Sequence, residues 1–489
     1  MSKRNKRKTL LQCTASFVHN PEVKRYCLEI PFDPPEAYPE LSLSGSINKD
    51  NMIYPMVRQL LQQLRLDEGN IGTPRWNPFK DVVRPGSKVL IKPNLVTHEH
   101  FLGRDALYST VVHGSILRPI VDYVYLALRG EGSIVIADNP LEMANFKTLM
   151  DFTGIQDLVD KLIERGYKNL SVIDLRPRVV KEGRKGKFYY EDVPGDPLGY
   201  VNIDLGKNSL FAEFDKNPEV HYYTLADQTI DHFNPRCVRE SLTDKYHNPS
   251  MHNYIVSKTV LDADVIINVA KMKSHCKAGI SLTLKNMVGT VYEKNCMPHH
   301  RPGLPPEGDS FPHYPASYYV FSRKVYRNLR HWFQIHRVPG FRSFRNMLQK
   351  NKILIGQHTD HGNWKGNDTI WRTILDLNRI VAYADKAGKM RDTQQRNQFA
   401  FIDGIVSQQG EGPMAGKAVS TSIIVGGFYP VLVDALAIKT MGLNYQLFKS
   451  VSKAHEIEKW QLFDGIGSDL SFPSIEVPDL RFELSRGWR

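Results

Sequence analysis

Short apolar strands alternate with amphipathic helices along the chain, and this alternation limits the fold more than any other feature. Strand-like runs and helical patterns follow one another from residue 86, over residues 88–92, 116–129, 133–137, 156–165 and 171–175. A helix between two strands lets those strands lie parallel in one sheet, so this order is typical of βαβ units. The sequence therefore predicts an α/β fold of two lobes with mostly parallel sheets and a ligand cleft between the lobes.

The domain boundaries follow from changes in this pattern. Residues 1–80 are expected to form an N-terminal extension, and residues 81–300 the main α/β lobe, in which the polar stretch 176–250 is an insertion. Residues 301–352 are predicted to be a basic amphipathic insertion, and residues 353–489 a second α/β lobe with a C-terminal tail.

The net charge of +12 is concentrated in two short segments. Residues 3–8 carry five positive charges and residues 321–352 carry nine, with no acidic residue in either segment. The rest of the chain is close to neutral. A body that binds polyanions generally is therefore not expected, and nucleic acid is an unlikely partner.

On a helix, the second basic segment separates into an apolar side with Phe321, Val325 and Leu329 and a basic side with Arg323 and Arg327. One interpretation is a helix that lies on an anionic membrane surface through residues 316–350. The other interpretation is a helix that packs on the protein core and exposes its basic side to solvent.

The five cysteines are scattered, and none forms a C-x-x-C pair. This spacing predicts neither an iron-sulfur cluster nor a structural zinc site. An odd number of scattered cysteines favours a reducing compartment. The basic N-terminus lacks a signal-peptide core, and no run reaches the ~20 apolar residues of a spanning helix. We expect a cytoplasmic protein, which the basic helix could hold at the membrane periphery.

The candidate site follows the apolar run 264–270, where Lys271, Lys273 and His275 stand at the end of a predicted strand. Ligands of α/β proteins bind beyond the carboxyl ends of the strands, and lysines there suit an anion. We expect His275 to be an acid/base group with a pKa near ~6.5, or else a structural histidine. Lys285 is expected to anchor a substrate or cofactor, or to act as a base or amine nucleophile.

Other polar clusters stand near the ends of predicted elements. Lys92 ends the strand 88–92 and Asn94 follows it, Asp138 follows the strand 133–137, and Asn286 follows Lys285; these residues are expected to complete the substrate site. The alternative interpretation is a loop of solvated polar residues for Lys92 and Asn94, and a turn or helix cap for Asp138. Gly410 and Gly412 could let backbone amides approach an anion, although a tight turn explains the same glycines.

A further polar cluster could bind a divalent metal ion. It contains two histidines and two aspartates within eleven residues, namely His358, Asp360, His361 and Asp368. Imidazole and carboxylate groups at this density suit a divalent cation. Asp368 also precedes the helical run 369–384, so an N-cap is the alternative interpretation.

Taken in order, these motifs resemble the domain of unknown function family 362. The resemblance covers residues 86–300 and 353–445, and it is carried by IKPNLV at 91–96, IADNP at 136–140, IINVAKMKSH at 266–275, LKNMVG at 284–289, GNDTIWRTILDLN at 366–378, DG at 403–404 with GEGP at 410–413, and VDA at 433–435. Many members of that family carry an appended ferredoxin module. Since this chain has no cysteine cluster, the resemblance implies no iron-sulfur cluster here.

The chain also resembles, more distantly, the nickel-pincer lactate racemase family. In that family a histidine lies ten residues before the lysine that anchors the cofactor, as His275 lies before Lys285, and a nickel-binding histidine follows downstream, as His299 or His300 does here. The paired glycines that precede the lysine in the family are replaced by Thr283 and Leu284. The resemblance implies a two-lobed fold with a cleft, and the nickel cofactor is not carried over.

The resulting functional prediction is an enzyme that binds a small anion, such as a hydroxy acid or a phosphorylated metabolite, and transfers a proton or hydride. The reaction would resemble that of a racemase or an oxidoreductase. One alternative is a noncatalytic accessory protein of a biosynthetic assembly at a membrane surface. Another is a metal-dependent hydrolase.

Overall fold

The computed structural model describes most of the chain. The described residues are 14–41, 46–183, 188–218, 220–222, 242–301, 305–310, 361–463, 470, 472 and 475–489. The basic segment 316–350 lies outside these residues, as do His358 and Asp360.

The described residues contain thirteen strands and nine α-helices. The strands are β1 (Ala15–His19), β2 (Lys88–Lys92), β3 (Ser133–Asp138), β4 (Leu170–Asp174), β5 (Arg178–Glu182), β6 (Phe188–Asp192), β7 (Tyr200–Asp204), β8 (His247–Asn248), β9 (Met251–Ser257), β10 (Val265–His275), β11 (Gly279–Ser281), β12 (Asn397–Gln409) and β13 (Lys417–Gly427). The helices are α1 (Ile53–Gln63), α2 (Gly114–Leu128), α3 (Phe146–Thr153), α4 (Ile155–Glu164), α5 (Lys258–Asp262), α6 (Thr283–Asn286), α7 (Ile370–Tyr383), α8 (Pro430–Thr440) and α9 (Lys449–Ser452).

An eight-stranded sheet forms the centre of the molecule. Seven strands follow the order β1-β13-β12-β10-β2-β3-β4, and β11 pairs with the end of β10. The pairs from β12 through β10, β2 and β3 to β4 are parallel, whereas β13 is antiparallel to both β12 and β1. The prediction of an α/β fold with a mostly parallel sheet is confirmed.

The structure combines the two predicted lobes in this one sheet. Strands β12 and β13, from the predicted second lobe, continue the sheet of the first lobe because β12 pairs in parallel with β10. The predicted N-terminal extension also contributes its edge strand β1, which pairs with β13. The candidate site therefore lies at the carboxyl end of a shared sheet rather than between two separate sheets.

The predicted insertion 176–250 contains small antiparallel sheets where it is described. Strands β5 and β6 form a hairpin, and β7 pairs with β9, which also pairs with β8. These sheets lie outside the central sheet.

Alternating side chains of the central strands fill two apolar cores, one on each face of the sheet. On β10, Ile266 and Ala270 belong to the core that includes α7 and α8, whereas Ile267 and Val269 belong to the core that includes α1 and α2. This two-sided burial explains why the central strands appear in the sequence as nearly continuous apolar runs.

One described helical stretch, Arg104–Leu128, is long and apolar enough to cross a membrane by length and composition alone. Its apolar window is 89% buried inside the fold, as expected for a helix of the protein core.

Near the candidate site, two elements of the structure differ in length from the sequence pattern. Strand β10 continues to His275, so Lys271 and Lys273 lie within the strand and not after it. Hydrogen bonding to β12 and β11 on its two sides extends β10 beyond its apolar run. The apolar run 280–291 is helical by its sequence pattern, but in the structure it contains the end of β11, the short helix α6 and a 3₁₀ turn over Met287–Thr290.

The buried carboxylate of Asp434 on α8 holds the start of α6. Its Oδ1 accepts hydrogen bonds from the amide (2.8 Å) and hydroxyl (2.5 Å) of Thr283, and its Oδ2 accepts one from the amide of Leu284 (3.0 Å). Burial raises the pKa of Asp434 to about 7. The turn that carries Lys285 is thereby fixed to the helix behind it.

We expect Asp434→Ala to lower the free energy of unfolding by about 1–3 kcal/mol, because buried donors of Thr283 and Leu284 would lose their acceptor. Asp434→Asn keeps one acceptor oxygen and should have a smaller effect. Urea unfolding monitored by circular dichroism measures both variants. Equal stability of Asp434→Ala and wild type would contradict this role.

Candidate functional site

A buried ion pair joins the carboxyl ends of β2 and β3. The Nζ atom of Lys92 lies 2.6 Å from Oδ1 of Asp138, and both side chains are almost fully buried. The other carboxylate oxygen of Asp138 accepts a hydrogen bond from the amide of Leu95 (2.7 Å). Burial lowers the pKa of Lys92, and the Asp138 carboxylate opposes this shift. The pair fixes the loop after β2 to β3.

Asn286 connects this pair to β10. Its Oδ1 accepts hydrogen bonds from Asn94 (3.0 Å) and from Lys92 (3.3 Å), and its Nδ2 donates to Oδ1 of Asn268 on β10 (2.8 Å). The Oδ1 of Asn94 in turn accepts from the Nζ of Lys273 (2.5 Å). The structure thus brings together five of the predicted site residues in one buried network.

A second ion pair lies beside it and includes residues that the sequence analysis missed. The Nζ of Lys271 lies 2.9 Å from Oδ2 of Asp403 on β12, and the hydroxyl of Tyr26 donates to Oδ1 of Asp403 (2.8 Å). Tyr26 also contacts the Nζ of Lys271. Burial lowers the pKa of Lys271, against the opposite effect of Asp403. Asp403 lies in a motif of the family resemblance, whereas Tyr26 lies in the N-terminal segment, where no pattern marked it.

Four other lysines near this network form no ion pair with any described carboxylate: Lys273, Lys277, Lys285 and Lys294. Three of them donate to neutral oxygens instead, Lys273 to the carbonyl of Thr110 (2.7 Å), Lys277 to that of His361, and Lys294 to that of Asn139 (3.0 Å). Within the described residues, the Nζ of Lys285 has no hydrogen-bond partner.

The pKa values of these amines are lowered because burial disfavours the charged form. Burial lowers the pKa of Lys277, Lys285 and Lys294 to about 8 in each case. Burial lowers the pKa of Lys273 well below its ordinary value, and the neighbouring Lys285 and Lys271 lower it further. Nearby carboxylates oppose these shifts only in part, namely Asp309 for Lys277 and Asp138 for Lys273 and Lys294.

His275 at the end of β10 differs from the expectation of a group that titrates near neutral pH. Burial, followed by the nearby Lys285 and Lys273, lowers its pKa well below 6.5, so the ring is neutral at neutral pH. Its Nδ1 accepts a hydrogen bond from the amide of Lys277 (3.1 Å). This contact assigns the ring proton to Nε2. His275 can therefore donate a hydrogen bond to a ligand as a neutral imidazole.

The two glycines proposed to contact an anion have other partners. The amide of Gly410 donates to the carbonyl of Glu483 (2.8 Å), and the amide of Gly412 donates to that of Gly410 (2.9 Å). The carbonyl of Gly412 accepts from the amide of Cys276 (3.1 Å), and a Cβ at residue 412 would collide with the backbone of Ser274. Close packing against β10 explains the glycine at 412, and an anion contact stays a prediction for both residues.

The C-terminal segment packs on the turn that connects β10 to β11. The indole of Trp488 donates to the carbonyl of Cys276 (2.8 Å) and stacks on Phe448. Gly279 is required here, since its φ is +78° and a Cβ would meet both aromatic rings. These contacts hold the turn that carries Cys276 and Lys277.

The predicted metal cluster is described only in part. The carboxylate of Asp368 pairs with Arg372 (2.8 Å) and Lys449 (2.6 Å). The N-cap of α7 is Thr369 and not Asp368, and the Oδ1 of Asn367 accepts hydrogen bonds from the amides of Thr369 and Ile370. In the described part of the chain, no group of three or more His, Cys, Asp or Glu side chains is suited to hold a metal ion. Since His358 and Asp360 lie outside it, metal binding stays a prediction.

The fold and the site define an α/β protein with a lysine-rich polar site at the carboxyl end of its parallel strands. Residues 224–439 match the model of the family described as "Domain of unknown function (DUF362)". Over those residues, the family resemblance indicated by the sequence motifs is confirmed. The matched region includes β10 and Lys285, whereas Lys92 and Asp138 precede it.

The similarity to a solved structure is weak. A crystal structure of a Thermotoga maritima protein, a target of the Northeast Structural Genomics Consortium, matches with a TM-score of 0.32 and 10% sequence identity. The match covers 80% of this chain and 59% of that chain, so this chain spans less than two thirds of the other's length. No curated protein sequence matches the chain significantly.

We expect Gly289→Ala to destabilise the protein by at least about 2 kcal/mol. A Cβ at residue 289 would collide with Oδ1 of Asp138 and lie 2.7 Å from the Nζ of Lys92, so the ion pair would separate. Gly69→Ala is the matched control, because a Cβ there meets no atom within 4 Å. Urea unfolding should show a loss for residue 289 alone. Similar stability of the two variants would disprove the tight packing on the pair.

The amine of Lys285 should react with acylating reagents at lower pH than ordinary lysines do. Only the neutral amine reacts, and the pKa of Lys285 is lowered to about 8, against about 10.4 for an ordinary lysine. Pulses of acetic anhydride at increasing pH, followed by peptide mass spectrometry, measure the midpoint. A midpoint near that of ordinary lysines would contradict the lowered pKa.

Proposed function

We propose that the carboxyl end of β2, β3 and β10 binds a small organic anion, and that the protein is an enzyme that transfers a proton on this ligand. The observation that supports the proposal most directly is the surplus of amines. Two lysines of the site are paired with carboxylates, Lys92 with Asp138 and Lys271 with Asp403. Four others have no ion pair with a described carboxylate, namely Lys273, Lys277, Lys285 and Lys294.

The energetics of burial favour this interpretation. An amine in a protein interior loses its hydration, and removing a charge from water without a partner costs several kcal/mol. Lysines are rarely kept in such positions for stability alone. A bound carboxylate or phosphate would supply the missing negative charge and form charge-assisted hydrogen bonds with these amines.

The proposal assigns a different role to each group. Lys273 and Lys277 would hold the anionic group of the ligand, and Lys92 and Asp138 would keep the loop after β2 in place. The Nε2 proton of His275 would be donated to an oxygen at the reacting carbon. Lys285 would accept or return the proton, because its pKa, lowered to about 8, lies near the working pH.

Hydroxy acids and phosphorylated metabolites remain the two proposed classes of ligand. Both classes carry an anionic group near a carbon that bears oxygen. The amines would bind the anionic group, and the neutral imidazole would donate a hydrogen bond to the oxygen. The alternative of hydride transfer would need a redox cofactor in addition to these residues. The membrane-surface alternative depends on residues 316–350, and the hydrolase alternative depends partly on His358 and Asp360, all of them outside the described residues.

Thermal unfolding with a panel of anions tests the proposal. We expect oxalate, malonate, lactate or phosphate, at matched ionic strength, to stabilise the wild type, by about 2.7 kcal/mol at a hundredfold excess over Kd. Lys273→Met should be at least as stable as the wild type without ligand, since it removes a buried amine that lacks a carboxylate, but it should lose the response.

Lys147→Gln is the matched control for the loss of one lysine, because the side chain of Lys147 is 83% exposed and, among the described residues, its ion pair is with Asp151 on its own helix. This variant should respond as the wild type does. The proposal fails if no anion of the panel stabilises the wild type, or if Lys273→Met responds equally.

A further inference from the structure

Lys285 differs from the other lysines of the site in the way it is held. Its neighbours Leu284 and Asn286 are buried, and their groups are fixed by Asp434 on one side and by Lys92 and Asn94 on the other. The backbone of Lys285 is therefore positioned by contacts that do not involve its own side chain. Lys285 as a residue keeps part of its surface exposed, so a ligand can approach it.

The surroundings of the amine suit a nucleophile rather than a structural cation. Within the described residues the Nζ of Lys285 neither pairs with a carboxylate nor donates a hydrogen bond. The nearby Cys276 favours its charged form, whereas Lys294 and Lys277 are close enough to repel it. Desolvation and a neighbouring cation are the two means by which enzymes obtain a neutral, reactive lysine.

His275 lies near this amine and supplies a second group that carbonyl chemistry requires, a hydrogen-bond donor for the carbonyl oxygen. Lys285 and Lys273 are the two cations that act most strongly on the His275 ring, so both amines lie near the ring. With Nδ1 engaged by the amide of Lys277, the ring presents its Nε2 proton. A neutral imidazole donor can polarise a carbonyl oxygen, and an adjacent lysine can hold the carboxylate of the same molecule.

We propose that Lys285 forms an imine with the carbonyl carbon of a 2-oxo acid bound at this site. This inference rests on the proposed anion site, since Lys273 and Lys277 would hold the carboxylate of the 2-oxo acid. It replaces the role of proton acceptor that the proposed function gives to Lys285, because the nitrogen of an imine no longer has the free lone pair of the amine. It narrows the ligand to an anion that also carries a ketone.

The step balances without an oxidant or a reductant. The lone pair of the neutral Nζ attacks the carbonyl carbon, and the π electrons of the C=O bond move to oxygen, which His275 stabilises by its hydrogen bond. A proton passes from nitrogen to oxygen and gives the carbinolamine. The hydroxyl then takes up a proton from solvent, the C–O bond breaks, water leaves, and the protonated C=N bond remains. This cation draws electrons from the adjacent carbon and so makes the C–H bonds of that carbon more acidic.

Trapping with borohydride tests the inference on the full-length protein. The protein is incubated with pyruvate and sodium borohydride, which reduces the imine by hydride addition to a stable secondary amine. Intact mass and peptide mapping then locate the product. We expect one reduced pyruvate per chain at Lys285, and no product without either reagent.

Two variants separate this inference from the proposed function. Lys285→Arg keeps the positive charge but cannot form an imine, so it should lose the adduct while malonate still raises its unfolding temperature. Lys147→Arg, the exposed control, should trap pyruvate at Lys285 as the wild type does. The stabilisation of Lys285→Arg by malonate also verifies that this variant folds.

The outcomes are distinct. If malonate stabilises the wild type but no adduct forms at Lys285, or if the adduct forms on another lysine, the imine is wrong and the anion site stands. If no anion of the panel stabilises the wild type and no adduct forms, both proposals fail.

Discussion

The ion pair between Lys92 and Asp138 is the interaction on which the site depends. It joins adjacent parallel strands at their carboxyl ends, where the pair is shielded from water, and the second oxygen of Asp138 holds the loop after β2. Asn286 connects the same lysine to β10 and to the turn of Lys285. Because a buried ion pair is destabilising once either partner is lost, its geometry limits where every neighbouring residue can lie.

The amines around this pair give the site its chemical character. Each ion pair in the network uses one carboxylate, Asp138 or Asp403, and the remaining lysines donate to amide or carbonyl oxygens where they donate at all. Neutral oxygens compensate an ammonium group only partly, so burial lowers the pKa of these lysines. The same lowering makes the amines responsive to a ligand, because an incoming anion favours their protonated form.

The sequence predicted the parallel strands and most of the network for a simple reason. Polar residues at the end of an apolar run, such as Asn94 and Asp138, must lie together at the carboxyl end of the sheet if the strands are parallel. The merging of the lobes through β12 was not predictable, because strand pairing between distant segments leaves no local pattern. Tyr26 was missed for the same reason, since its partner Asp403 is 377 residues away. The neutral state of His275 depends on burial and neighbouring charges, which only the folded structure sets.

Proton uptake on anion binding tests the central claim most directly. Isothermal titration calorimetry of malonate, in two buffers of different ionisation enthalpy at about pH 8.5, counts the protons that accompany binding. At this pH, lysines whose pKa is lowered to about 8 are mostly neutral, so an anion that binds among them should draw protons from the buffer. The account predicts net proton uptake that disappears in Lys273→Met together with binding. Binding without proton uptake, or no binding, would contradict it.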